Sequence, residues 1–266
     1  MSPLSEKRDD TLVLCYHGVS ETWPSALAVA PEALERQLGL LVERGYRGVA
    51  FGEAVRGVGG KAVAVTFDDG FRSVIESGKP ILDRLGLPGT IFVPTEFVGR
   101  DQPMSWHGIA HWVGSSHEGE LLPVGWGDLK RLADEGWEVG SHTQSHKRLT
   151  TLGQMQLERE LRSAREKCES SLGLECRSLA YPYGDADQRV TEAARAAGYS
   201  EAAILSSELP TGDPMRWPRV GIFRGDGMRA FRLKVSPSIR RLRGTPLWPL
   251  LSVPLSRWRR RVGVPS

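Results

Sequence analysis

The chain has 266 residues, 40% hydrophobic and 25% charged, with a net charge of +3. That is long enough to bury a full core in one large domain or two small ones, and the composition is ordinary for a soluble globular protein. Mean hydropathy is −0.29, and no apolar run approaches the roughly 18 residues that a membrane-spanning helix needs.

Residues 1–10 contain no apolar stretch of the kind a secretory signal carries, so a cytoplasmic location is expected. The three cysteines, Cys15, Cys168 and Cys176, are an odd number without metal-like spacing, which fits free thiols in a reducing compartment.

The first strand is expected over Thr11–Tyr16, with His17 at its end. A helix over Pro31–Arg44 has proline in its first turn and Leu34, Leu38 and Leu41 on one stripe. Val63–Phe67 is a buried strand that runs into Asp68-Asp69-Gly70. Val74–Leu85 reads as a helix with a kink or break at Pro80, and Thr90–Val93 as a strand. Residues 94–124 look like a long irregular insertion containing Trp106, His107, His111, Trp112 and His117.

A helix follows over Asp128–Glu135, then a strand over Glu138–Gly140 that ends in Ser141-His142-Thr143-Gln144-Ser145-His146. Thr150 or Thr151 is expected to cap a long helix through Leu157, Leu161, Ala164 and Cys168. Ser178–Ala180 is a strand leading into Tyr181-Pro182-Tyr183-Gly184. Asp187–Ala197 is a helix, Ala202–Leu205 a strand, and Arg219–Ile222 the last strand. Alternating strands and helices predict parallel strands with helices outside, and the polar clusters all follow strands. In a parallel barrel those strand ends share one face, where active sites gather.

An Asp-Gly pair after an apolar run can simply end a strand, and the Ser-His-Thr segment can simply start a helix. Together they suggest more. Two histidines four apart and a distant carboxylate can hold a metal and leave one position open. Zinc so bound lowers the pKa of a water and polarises a carbonyl. Asp69, His142 and His146 meet the ligand demand, and Asp68 is left as a general base.

Thr66-Phe67-Asp68-Asp69-Gly70, Ser141–His146 and Ala180–Gly184 resemble the first three motifs of the polysaccharide deacetylases, the NodB-homology family. The resemblance runs from about Leu12 to Ile222. It implies an α/β fold, a distorted (β/α) barrel of about seven parallel strands. It also implies Zn2+ or another divalent transition metal on Asp69, His142 and His146, Asp68 as base, and the Tyr183 backbone N–H at the oxyanion. Many relatives pair an arginine with the base two residues before the motif's proline, where this chain has Ala180. Many also take their acid from a late Leu-x-His, but no histidine follows His146. His17, within Leu14-Cys15-Tyr16-His17-Gly18-Val19, is similar to the Tyr-His element of the branch acting on poly-N-acetylglucosamine, and becomes the expected acid. His107, His111 and His117 are the other histidines open to that role. Arg216-Trp217-Pro218-Arg219-Val220-Gly221 resembles a Leu-Pro-Arg-Ile element of the same branch, which would put Trp217 and Arg219 near the site.

The expected organisation is a catalytic domain over 1–228 and a basic appendage over 229–266, which has ten arginines and lysines between Arg229 and Arg261 and no acidic residue. That stretch reads as a solvated tail or a peripheral membrane contact; nothing else in the chain suggests nucleic acid. The activity implied is removal of acetyl groups from N-acetylated sugars of a polysaccharide or glycoconjugate. The alternatives are a cytoplasmic deacetylase or deformylase of a lipid-linked sugar, and a catalytically silent carbohydrate-binding module.

Overall fold

The computed structural model describes residues 10–205 and 212–243. In chain order the strands are β1 (Asp10–Tyr16), β2 (Gly18–Val19), β3 (Ala28–Val29), β4 (Arg47–Gly48), β5 (Lys61–Phe67), β6 (Gly89–Val93), β7 (Glu138–Ser141), β8 (Ser178–Ala180), β9 (Glu201–Ile204), β10 (Trp217–Pro218) and β11 (Val220–Gly221). The helices are α1 (Pro31–Glu43), α2 (Phe51–Arg56), α3 (Lys79–Leu85), α4 (Trp126–Asp134), α5 (Gln154–Leu172), α6 (Gln188–Ala196), α7 (Met228–Lys234) and α8 (Pro237–Arg243).

The main sheet runs β10-β9-β8-β7-β6-β5-β1-β11, with β4 added beside β5, and its pairings are parallel. Only Arg219 separates β10 from β11. Residues 217–218 pair with β9 and residues 220–221 with β1, so this one segment joins the two edges. Counted that way, seven parallel strands form the expected barrel.

The alternation of side chains decides what faces where. Leu12, Leu14, Tyr16, Val63, Val65 and Phe67 belong to the large core between barrel and helices. Val13, Ala62, Ala64, Phe92, Ala180 and Ala203 form a separate inner cluster, into which α2 inserts Phe51 and Ala54. The interior is built for close approach: a Cβ on Gly140 would lie 2.5 Å from the Phe92 ring. α2 closes the end of the barrel where the strands begin. There the Phe51 N–H donates to Thr90 Oγ1 (2.9 Å) and the Gly52 N–H to Glu138 Oε2 (2.8 Å). The opposite end stays free for chemistry.

Three local expectations change. The helix expected over Val74–Leu85 is a π-helical turn, Val74–Gly78, followed by α3. Pro80, lacking an N–H, falls at the second position of α3, where an unpaired donor is not missed. The long helix begins at Gln154 behind Gly153, because Thr150 Oγ1 donates to Asp185 (2.8 Å) and Thr151 Oγ1 to the Arg148 carbonyl (2.8 Å). Past residue 228, α7 buries Phe231 and its flank buries Val235 in the main core. The first part of the basic stretch therefore packs on the barrel, while residues 244–266 lie outside the described residues. Among the described residues no helix is long and apolar enough to cross a membrane.

Candidate active site

Asp68 continues the inward side of β5 after Ala62, Ala64 and Thr66. It is 4% exposed. Arg219, at the barrel seam, lies across from it and is 2% exposed. The two form a bidentate pair: Arg219 Nη1 to Asp68 Oδ1 and Nη2 to Oδ2, both 2.6 Å. Nη1 also donates to Thr66 Oγ1 (3.0 Å). Burial by itself would raise the Asp68 pKa, but Arg219 and His142 outweigh it and hold it at about 2. Cys15, the inward neighbour on β1, points its thiol at Asp68 Oδ2 (3.4 Å).

At the next residue the chain turns. Asp69 has φ 70°, a left-handed conformation that L-residues rarely adopt. This swings its carboxylate toward the loop after β7. Asp69 Oδ1 lies 3.1 Å from His146 Nε2 and 3.4 Å from His142 Nε2. Neither approach is a hydrogen bond, and Oδ1 is left buried without a donor. His142 Nδ1 lies 2.7 Å from the Ala180 carbonyl, to which it donates, so its Nε2 presents a lone pair to the carboxylate. Lone pairs converging in a buried place are an arrangement that a cation would satisfy. Burial lowers the pKa of His142, yet Asp68 and Asp69 override it in the upward direction. One carboxylate oxygen and two imidazole nitrogens, within 4.8 Å of one another, are a donor set suited to a divalent transition metal.

The four non-glycine residues with positive φ among the described residues are Asp69, Thr143, His146 and Tyr183. All four lie in the motifs around this cluster. Strain concentrated there is what a functional constellation shows, because the surrounding fold must hold it in place.

His17 follows β1 at the same end. One ligand atom each from Cys15, His17 and Asp68 lie within 4.8 Å of one another. Burial lowers the pKa of His17 against the pull of Asp69 and Asp68, which favours neutral imidazole at neutral pH. Tyr183 is 36% exposed. Its ring stands edge-on to His146 (5.0 Å between centroids), and its hydroxyl donates to the His107 carbonyl (3.1 Å).

The insertion over 94–124 packs Met104, Ile109 and Leu121 against Trp23 and Phe71 in a small separate core. Trp106 stacks on His146 with centroids 4.2 Å apart. His111 and His117 gather around Trp112 instead of the carboxylates.

Two contributors are hard to see in the sequence. Arg219 was expected nearby, but its pairing with Asp68 depends on a barrel seam that no local pattern marks. Glu160, 4% exposed, accepts from Ser145 N–H (2.9 Å) and Oγ (2.5 Å) and so holds the loop that carries His146. Its one signal is an acidic residue on the apolar stripe of α5, beside Leu157 and Leu161.

A family model described as polysaccharide deacetylase matches residues 56–202. YxkH of Bacillus subtilis (strain 168) is 23% identical over 242 residues, 88% of this chain and 75% of its own. Among solved structures, the Streptococcus pyogenes deacetylase PplD in complex with acetate has a TM-score of 0.72 at 18% identity, covering 85% of this chain and 98% of its own. IcaB from Ammonifex degensii has a TM-score of 0.68 at 26% identity, covering 89% of this chain and 98% of its own. The matched region spans more than half of the sequence and contains the paired aspartates, both clustered histidines and Tyr183: this chain belongs to the polysaccharide deacetylase family, with the NodB-homology barrel.

Proposed function

We propose that this protein is a divalent-metal-dependent hydrolase that removes acetyl groups from N-acetylated sugars of a polysaccharide or glycoconjugate. The observation that carries the reading is the buried convergence of Asp69 Oδ1, His142 Nε2 and His146 Nε2 beside an ionised, arginine-clamped Asp68. A metal held by those three residues, zinc being the usual choice for the set, supplies Lewis acidity that polarises the acetyl carbonyl and acidifies a water.

The chain's own residues supply the rest. Asp68 takes a proton from the attacking water. The Tyr183 backbone, in a left-handed conformation, would offer its N–H to the developing oxyanion. His17, neutral at rest and close to Asp68, relays that proton to the leaving nitrogen, so the amine and acetic acid depart and the acid then releases its own proton to solvent as acetate. Arg219 fixes the plane of the Asp68 carboxylate throughout.

A silent binding module gains nothing from keeping four residues in the left-handed region, which disfavours that alternative. The test is acetate release by zinc-loaded protein from N-acetylglucosamine oligomers, acetylated xylan and an acetyl ester, each with and without chelator. Chelator-sensitive release from the amide substrates is the expected result. Ester cleavage alone would assign an O-acetyl esterase, and sugar binding with no release would assign a binding module.

Peripheral membrane contact through the basic C-terminal stretch is a separate proposal. Arg240 donates to Asp10 Oδ1 (2.9 Å) and to the Thr11 carbonyl (2.8 Å), which puts α8 beside the start of β1. The candidate site is at the other end of the strands. Flotation of the full chain and a 1–243 truncation with anionic vesicles tests the membrane contact; equal flotation would remove the tail from the argument.

A further inference from the structure

His142 and His146 are held in different ways. The Nδ1 of His142 has a partner, the Ala180 carbonyl, of the kind that orients a metal-binding imidazole and fixes its tautomer. The Nδ1 of His146 is buried and has no hydrogen-bond partner. Its backbone, at φ 58° in a loop, is held by its own N–H to Thr143 Oγ1 (3.2 Å) and by Glu160 through Ser145, but these bonds leave the ring free to turn. Yet its Nε2 is aimed at Asp69 Oδ1 as closely as that of its neighbour.

What faces the His146 ring is aromatic. The Trp106 indole lies against it at 4.2 Å with 22° between planes, and Tyr183 meets it edge-on at 70°. Trp106 is itself braced by Phe97, edge-on at 5.3 Å, and packs on the small core of the insertion. The insertion is latched to the third motif by the hydrogen bond from the Tyr183 hydroxyl to the His107 carbonyl.

We infer that Trp106 is a positioning residue for the metal: its indole face does for His146 what the Ala180 carbonyl does for His142. This rests on the reading of Asp69, His142 and His146 as metal ligands. Stacking restricts the imidazole to one plane without needing an acceptor for Nδ1. The negative face of the indole also favours the positive charge that an imidazole acquires on binding a cation. The 94–124 insertion is thereby part of the metal site's support, and the face of Trp106 turned to His146 is not available as a platform for sugar.

The test measures Zn2+ affinity of the full chain by chelator competition, together with KM on an acetylated oligosaccharide. Loss of an outer support of this kind costs about ten- to a hundredfold in metal affinity. That loss is expected for Trp106→Ala and for Trp106→Leu, which keeps an apolar wall without a ring. Trp106→Phe, which keeps a face to stack, is expected to bind within about threefold of wild type on the same scale. Should the alanine variant fail to fold, the leucine and phenylalanine pair still decides. Tight wild-type binding that Trp106→Leu leaves unchanged would overturn the role of the indole alone. A raised KM at unchanged Zn2+ affinity would do the same and make Trp106 a sugar contact. Wild-type protein that binds no Zn2+ would overturn the metal reading as well.

Discussion

Arg219 clamps Asp68 across the barrel by two parallel hydrogen bonds of 2.6 Å, and it does so from the residue that separates β10 from β11. The side chain that closes the sheet is also the one that neutralises the buried carboxylate. Ala180, inward-facing on β8, is small and leaves the barrel centre open for a guanidinium arriving from the seam. Closure of the fold and orientation of the proposed base are one arrangement.

Arg219→Ala should therefore be severely destabilising, because it strands Asp68 without its buried counter-charge. A loss of about 3–5 kcal/mol is typical when one partner of such a pair is removed. The double variant Arg219→Ala with Asp68→Asn should lose clearly less than the sum of the single changes. Urea unfolding of the four proteins checks this, and strict additivity would mean that the pair is not coupled. Arg219→Lys should fold better than Arg219→Ala yet turn over poorly, since a point charge cannot fix a carboxylate plane.

The metal reading makes a thermodynamic prediction that is separate from turnover. A ligand that binds only the folded state at a hundred times its Kd stabilises by about 2.7 kcal/mol. Chelation should lower the midpoint of wild type and of Asp68→Asn alike, while Asp68→Asn releases little or no acetate. His142→Ala should show neither the chelator shift nor activity. A chelator shift that survives in His142→Ala would remove that histidine from the ligand set.

Glu160 offers a subtler test of the same site. Ser145 presents both its N–H and its hydroxyl to this buried carboxylate, and the next residue is His146. Glu160→Ala leaves those donors without an acceptor, at a cost of about 1–3 kcal/mol. Glu160→Gln keeps one acceptor and should lie between. Zn2+ affinity should fall in the same order. Unfolding curves that move while metal affinity stays fixed would show that Glu160 supports the fold but not the ligand.

The legible parts of this protein were those encoded over short distances. Asp68 and Asp69 after an apolar strand, His142 and His146 after another, and His17 after the first all announce themselves by position, and a parallel barrel brings such strand ends together. The left-handed turn at Asp69 is different: no rule confined to the sequence says that one of two adjacent aspartates turns to the histidines while the other stays in the barrel. Arg219 and Trp106 were visible as residues but not as partners, since their contacts to Asp68 and His146 span 151 and 40 positions. Pro80 could be placed at a kink or break in a helix, but no local pattern marks the π-helical turn Val74–Gly78 before it.

The closed end of the barrel should carry a pH signature of its own. Glu138 is half-buried beneath α2. Desolvation raises its pKa from the ordinary 4.5 against the opposing pull of Ser178, the Gly52 N–H, Arg56 and Thr90. Glu201, facing the same interior and paired with Arg56 at 3.0 Å, is raised as well, first by burial and then by Glu138. A carboxyl whose folded pKa lies above its unfolded value retains its proton longer in the native state. Its ionisation therefore lowers stability as pH rises from near 4.5 through the folded pKa. The sign is opposite to that of Asp68, whose stabilising contribution is complete above the ordinary 3.8 and lost as pH falls through about 2. Glu138→Gln keeps an acceptor for the Gly52 N–H and removes the charge. It should match or exceed wild type in stability at pH 7, fall closer to wild type near pH 4.5, and show a shallower decline in between. Denaturation midpoints across that range measure it, and parallel profiles for the two proteins would show that Glu138 ionises without penalty.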